Sequence, residues 1–448
     1  NVNDDIIYEL IDLVSHQSLD DLKSLSLSCK RLRALCLSAL FSRCEASFPD
    51  RNEARWIVPP VLIPYVRQLT LTCMCQDIDC VHNFRRPLPR WTTTPWLCGV
   101  LEPPPFFKTT LTRMFNLSSV TLTMPWASRH GVSWSALQVI LSAPTLRELS
   151  VIALTFSPIK VSPSNTFACP RRLPPLTSFK YLICWHPDNQ YPIPPHETEA
   201  LSVLLQAVCG TLTSLEPNAA SAPLDTMERL RWPRLHTLKL SGSRREPQCR
   251  PYATLFRNMP GLRKLVLELH LKRTPRVGLA VPRELSPRPL VFPWPQLEHL
   301  YLPLPLPSSD DMYRQLPTSL RTLSLLQYPH YAQRHQECVQ INSIAPERPS
   351  AARVVRILQR CAVAAQLTRL EIEYIVELKP AVDPLHFVVH ACPLLEELKL
   401  LRYRIQPPQD LALVRGRPFL EEQFGDSRKW KQPHELAVRL LRASVPRY

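Results

Sequence analysis

The chain has 448 residues, 45% hydrophobic and 21% charged, with a formal net charge of +16. That length supports a large core or several domains. The 48 Pro mean many stops between short elements, and the 8 Gly leave little for phosphate-binding loops; with neither a Walker A loop nor G-x-G-x-x-G, nucleotide-binding enzymes are disfavoured. The first forty or so residues hold three helical patterns. Asp4 and Asp5 precede Ile6, Ile7, Leu10, Leu13 and Val14, which recur at helical spacing behind an acidic first turn. Ser18 is placed to cap a second helix, with Asp21 three residues on and Leu19, Leu22 and Leu25 along one side. Ser28 is placed to cap a third over 29–40, with Leu32, Leu35, Cys36 and Leu40 inward and Lys30, Arg31 and Arg33 outward. So small a unit buries too little surface to be secure alone, so its apolar faces must be shared.

The run Val2-Asn3-Asp4-Asp5-Ile6-Ile7-Tyr8-Glu9-Leu10-Ile11 resembles the opening of an F-box, usually Leu-Pro-x-Glu/Asp and an apolar helix. Leu22 to Arg33, with Cys29-Lys30-Arg31, resembles its second half. The likeness spans about residues 2–44, with Asn3 where the family prefers Pro and Leu32 where it often has Trp. The resemblance implies docking on a Skp-type adaptor, and through it on a cullin. It places Ile6, Ile7, Leu10, Leu22, Leu25, Leu27 and Leu32 at that contact. A terminal helical cap on a repeat protein is the plainer reading.

Next comes a repeat, L-x-x-L-x-L. Clear copies begin at Leu146, Leu235, Leu262, Leu297, Leu320, Leu367 and Leu395; weaker ones begin at Val66, Leu117, Leu176 and Leu212. Pro144, Pro174, Pro233, Pro260, Pro295 and Pro393 stand two residues ahead of six of them, where Pro ends a helix at no cost to a strand ladder. Starts at 235, 262, 297 and 320 lie 27, 35 and 23 residues apart, near the period of leucine-rich repeats. Helical patterns fall between them at 134–141, 197–208, 252–258, 310–315, 351–364 and 385–391. The spacing predicts an α/β fold in which strand–helix units stack to share one core. Residues 60–405 resemble an irregular leucine-rich-repeat solenoid, a curved parallel sheet with outer helices, of the kind found behind F-boxes in fungal proteins. The family's Asn or Cys, eight residues after the first Leu, is replaced by Leu154, Ser243, His270, Pro305, Tyr328, Ile375 and Tyr403. A side-chain ladder in the turns is therefore not expected. The gaps from Val66 to Leu117 and from Leu320 to Leu367 leave room for a degenerate repeat or a long insert. The expected organisation is an F-box over 1–46, repeats over 47–414 and a basic tail over 415–448 ending in a helical cap with Leu436, Val438, Leu440 and Leu441.

Chemistry-bearing motifs are few. Cys73, Cys75, Cys80 and His82 lack the paired C-x₂₋₄-C spacing of a structural zinc site, so ordinary thiols and no metal are expected. Asp20-Asp21, Asp310-Asp311 and Glu421-Glu422 are sequence neighbours that do not face each other on a helix, so they read as helix starts or solvated faces. His186, His236 and His299 read as isolated core or surface residues. No catalytic motif and no cofactor site is expected. The 14 scattered Cys read as reduced thiols of the cytosol or nucleus. No run of about 18 apolar residues suggests a membrane helix. No leader pattern is expected either, since the chain opens on Asn-Val-Asn-Asp-Asp, acidic and polar.

In an L-x-x-L-x-L strand the residues between the Leu positions face away from the core. From Gln68 to Lys399 they include five basic and six acidic side chains, so that face is near neutral. The positive excess is assigned to loop pairs such as Arg85-Arg86, Arg171-Arg172, Arg244-Arg245 and Lys272-Arg273, and to the tail. This weighs against nucleic acid as the main partner. Tyr301, Arg369, Glu371, Glu373, Glu397 and Lys399 are the expected substrate-binding residues, being charged or aromatic on rigid strands. Together with the resemblance, this points to a non-enzymatic substrate-recognition subunit of an SCF-type cullin–RING ubiquitin ligase, its substrate protein unknown. A non-ligase F-box scaffold and a basic polyanion binder are the rivals.

Overall fold

Ten main-chain carbonyls organise the molecule in its computed structural model, each accepting two N–H groups from the next repeat. Ser42 O takes Arg67 and Gln68; Arg67 O takes Ser118 and Ser119; Ser118, Arg147 and Thr177 continue the series. A second series runs through His236, Arg263, Glu298, Arg321 and Thr368, and all the N···O distances lie between 2.7 and 3.1 Å. The acceptor is always the residue after the first Leu position, so each rung sets the register of the strand that follows.

The structure describes residues 3–48, 58–73, 105–123, 132–152, 173–183, 195–243, 252–270, 292–302, 312–326, 349–376, 384–404 and 434–439. Two compact units result, one of Asn1–Trp185 with Tyr191–Pro223, the other of His186–Gln190 with Leu224–Tyr448.

The first unit opens with α1 (Asp4–Gln17), α2 (Leu19–Ser28) and α3 (Lys30–Leu40). Asn3 caps α1 by accepting from the Asp5 amide, and Ser18 caps α2 by accepting from Asp21. The third cap falls one residue later than the sequence suggests: Ser28 ends α2, and Cys29 Sγ accepts from the Leu32 amide. Both turns are tight, so α2 and α3 share a single linking residue. Ile7, Ile11, Leu22 and Cys36 form their buried core.

Six parallel strands follow: β1 (Arg43–Phe48), β2 (Gln68–Cys73), β3 (Ser119–Thr123), β4 (Glu148–Ile152), β5 (Ser178–Leu182) and β6 (Ser214–Glu216). β1 begins at Arg43, ahead of the boundary expected at 46. Cys44 aligns with Leu69 and Ala46 with Leu71. Phe41-x-x-Cys44-x-Ala46 is therefore a degenerate first repeat that small side chains conceal.

The second unit carries β7 (Thr237–Ser243), β8 (Lys264–His270), β9 (His299–Tyr301), β10 (Thr322–Leu325), β11 (Arg369–Val376) and β12 (Glu397–Arg404), also parallel. β2 pairs directly with β3 and β10 with β11, so no further strand stands between either pair in the sheet. Residues 434–439, expected to be helical, instead form β13 (His434–Arg439), antiparallel to β12. An eight-residue edge strand offers a row of unpaired N–H and C=O groups, and a short apolar run that also alternates can satisfy them.

The Leu positions behave as the repeat demands. Leu146, Leu149 and Val151 are buried, as are Leu262, Leu265 and Leu267 and Leu367, Leu370 and Ile372. Each such side chain contributes about 1.5–3 kcal/mol of burial. The helix Ala351–Arg360 turns Val354, Val355, Ile357 and Leu358 inward under a Ser350 cap. Helices at Pro105–Arg113 and Leu224–Arg229 were not evident from periodicity.

Hydroxyls just before the first Leu bridge three pairs of neighbouring repeats. Thr145 Oγ1 donates to Leu117 O (2.8 Å), Thr211 Oγ1 to Leu176 O (2.7 Å) and Ser319 Oγ to Leu297 O (2.8 Å). Each ties the residue before the first Leu to the carbonyl of the first Leu position one repeat earlier. Buried indoles do similar work: Trp294 Nε1 donates to Phe256 O (2.9 Å) and Trp232 Nε1 to Met227 O (3.0 Å). The six described cysteines are free thiols. Burial pushes the Cys361 thiol up to about 12 and the Cys392 thiol up to about 11.

Two outcomes follow from this packing. Thr211→Val keeps the shape but strands the Leu176 carbonyl, and should lower stability in urea by about 1–3 kcal/mol, while Thr211→Ser should retain most of it. Cys361 and Cys392 should resist a thiol reagent at pH 8 in the folded protein and react once it is denatured, which mass spectrometry of the labelled peptides would read.

Candidate functional site

Two surfaces carry the expected functional residues. In the helical unit, α1 splits its apolar residues between opposite sides. Ile7 and Ile11, one turn apart, face the core, with Val14 packed against them. Ile6, Leu10 and Leu13, at i, i+4 and i+7, are exposed together, as are Tyr8 on α1 and Leu19 and Leu27 on α2. These six are among ten large hydrophobic side chains exposed in the described residues. Scattered exposed apolar residues are ordinary, but this concentration is not. An ion pair of Arg31 with Asp4 ties α3 to the start of α1, with Arg31 Nε 3.1 Å from Asp4 Oδ1.

The seven residues assigned to adaptor contact therefore divide. Ile6, Leu10 and Leu27 are exposed, and Leu27 is the most open at 71%. Ile7 and Leu22 are core residues of the unit, and Leu25 and Leu32 pack against that core. Periodicity finds an apolar helix face but cannot say which of two adjacent stripes a neighbouring helix covers.

In the second unit, strand register assembles one polar cluster. Lys264, His299, Thr322, Arg369 and Glu397 occupy the same place in successive strands, each just before the second Leu position. Val266, Tyr301, Ser324, Glu371 and Lys399 form the next column. β10 presents only Thr322 and Ser324 between larger neighbours, and both are buried. Ser324 Oγ donates to Glu371 Oε2 at 2.7 Å. Arg369 Nε donates to Glu371 Oε1 at 3.0 Å, and Arg369 Nη1 lies 3.1 Å from Glu397 Oε2. The bond to Glu371 holds the Arg369 guanidinium above its ordinary value.

Glu371 and Glu373, expected as exposed binding residues, are buried. Glu371 joins β10 to β11 and neutralises Arg369. The open part of the cluster is Tyr301, His299, Lys264, Glu397 and Lys399. Lys264 Nζ sits 5.7 Å from the centre of the Tyr301 ring, a cation–π distance. Burial first, then the Glu371 charge, raises the Tyr301 phenol. His299, read from sequence as isolated, bonds Thr322 Oγ1 through Nδ1 at 3.0 Å. Burial lowers its imidazole, Lys264 and Arg369 lower it further, and Glu298 opposes them. The signal was present in the sequence as the third position of each L-x-x-L unit, but only register shows that residues 23 to 47 apart are neighbours.

Other ion pairs on the outward strand positions are also internally balanced. Lys180 pairs with Glu216 at 3.4 Å, and Lys239 with Glu268 at 2.9 Å. Cys75, Cys80, His82, the Cys73 side chain, the basic loop pairs and the charged part of the tail lie outside the described residues. Among the described residues no helix is long and apolar enough to cross a membrane.

The parallel strand–helix stacking and its Leu register define a leucine-rich-repeat protein preceded by a three-helix unit. No protein-family model matches the chain, and no curated protein matches it. Among solved structures it is similar to the leucine-rich repeat domain of the type III effector XopL, at 16% identity over 73% of this chain and 88% of that one. The TM-score of that pair is 0.25, too loose a superposition to argue from.

The His299 environment sets a pH dependence. An imidazole lowered in the folded state binds its proton less readily than the unfolded chain does, so the protein loses stability as pH falls below about 6.5. An NMR titration should find the His299 midpoint below that of an exposed histidine, and His299→Gln should flatten the acid side of the stability profile.

Proposed function

We propose that this protein is a substrate-recognition subunit of an SCF-type ubiquitin ligase. In this reading α1–α3 are an F-box that docks on a Skp-type adaptor, and the repeats hold the substrate protein. The observation that carries it is the exposed apolar stripe of Ile6, Leu10 and Leu13 on α1, with Leu19 and Leu27 exposed on α2, on a unit with its own core. Concentrated exposed apolar side chains of that kind mark interaction sites. The family resemblance of residues 2–44 names the partner.

The second surface supports a holding role. Tyr301, His299, Lys264, Glu397 and Lys399 stand on strands whose spacing is fixed by paired main chains, and rigid aromatic and charged side chains make good anchors. The near-neutral pairing of charge there favours a protein surface over a polyanion. The chain itself makes and breaks no bond. It raises the effective concentration of substrate lysines beside a charged ubiquitin-conjugating enzyme.

Co-purification with the adaptor and a cullin tests this. Ile6→Asp with Leu10→Asp should cost about 2 kcal/mol or more of adaptor binding while leaving the fold intact. Leu22→Asp, by contrast, should unfold the helical unit. Undiminished adaptor recovery from the Ile6/Leu10 variant would overturn the assignment. Adaptor bound without cullin would instead indicate a non-ligase scaffold.

A further inference from the structure

The helix Pro384–Ala391 precedes the last parallel strand and buries Pro384 and Val388. His386 and His390 stand one turn apart on its exposed side, with ring centroids 4.4 Å apart and planes inclined by 32°. Residues four apart on a helix are surface neighbours, and two histidines so spaced are the arrangement that a helical zinc motif uses. His390 Nδ1 lies 2.8 Å from the His386 carbonyl. That carbonyl can only accept, so Nδ1 carries the proton and donates. Nε2 then keeps its lone pair and points away from the backbone bond. Such an outer hydrogen bond is what orients a metal-binding imidazole.

We propose that His386 and His390 form a two-imidazole binding site for a late first-row divalent cation, with Cu(II) held most tightly. Imidazole suits Cu(II), Ni(II) and Zn(II), and affinity among them peaks at copper. Cys392, two residues on, is buried, whereas both histidines are exposed, so its sulfur does not share their surface. The ligand set is therefore nitrogen alone, and the site differs from a closed structural zinc centre. Two protein ligands leave coordination positions for water or for donors from a second molecule. The proposal uses none of the residues of either surface described above and does not depend on the ligase reading.

The test is a Cu(II) titration of the full chain with exposed thiols blocked by N-ethylmaleimide, followed by calorimetry and electron paramagnetic resonance. Thirteen histidines set a background, so the double variant His386→Gln/His390→Gln serves as the reference. The parent should bind one more equivalent than that reference, with hyperfine structure from two nitrogens. Each single variant should bind that equivalent about 10–100-fold more weakly. Both side chains are exposed, so circular dichroism of the variants should match the parent. Equal stoichiometry and affinity in the parent and the double variant would overturn the proposal.

Discussion

Ten of the described strands begin at a carbonyl that accepts two N–H groups from the next repeat. That shared acceptor makes a stack possible from repeats of very uneven length. Spacers between strands can run to tens of residues, as between β2 and β3, yet the chain re-enters at the same rung. Loop length costs little once the entry point is set, since closure entropy grows only slowly with length. With the entry fixed, the Leu positions align into columns, and each repeat buries a face that it could not bury alone. The hydroxyl bridges at Thr145, Thr211 and Ser319 reinforce the same junction from the side-chain direction.

The same register decides what the outward strand positions can offer. Columns bring Arg369 between two carboxylates and place Ser324 under Glu371. Charges that look available in sequence are thus spent on each other. The groups that remain open in that cluster are aromatic or lie at its margins. In the helical unit the balance is reversed. Three short helices close a small core around Ile7, Ile11, Leu22 and Cys36 and have no material left to cover Ile6, Leu10 and Leu27. A neutral, rigid strand surface and an open apolar helix surface differ in the chemistry they offer to a partner.

Much of the architecture was legible. The copies of L-x-x-L-x-L mark their strands because Leu at those positions has to be buried, and Pro two residues earlier stops the preceding helix. The helical unit was legible from Asp4-Asp5, Ser18-x-x-Asp21 and apolar spacing. β1 was not, since Cys44 and Ala46 stand where Leu or Val stands elsewhere, and small side chains carry little periodic signal. The tail was misread as helix because Leu436, Val438 and Leu440 fit both a helical stripe and an alternating strand, and only an unpaired neighbour such as β12 chooses between them.

By itself, then, the sequence determined the repeat, its phase and the three helices that open the chain, all of which rest on local spacing and burial tendency. Only the tertiary structure decided which apolar stripe of α1 meets water, that Glu371 and Glu373 are buried, and that His299 neighbours Lys264 and Thr322. The physical reason is common to all three. Exposure and charge pairing are properties of neighbours that lie far apart in the chain, and those neighbours are set by strand register and helix docking, which leave no local mark on residue spacing.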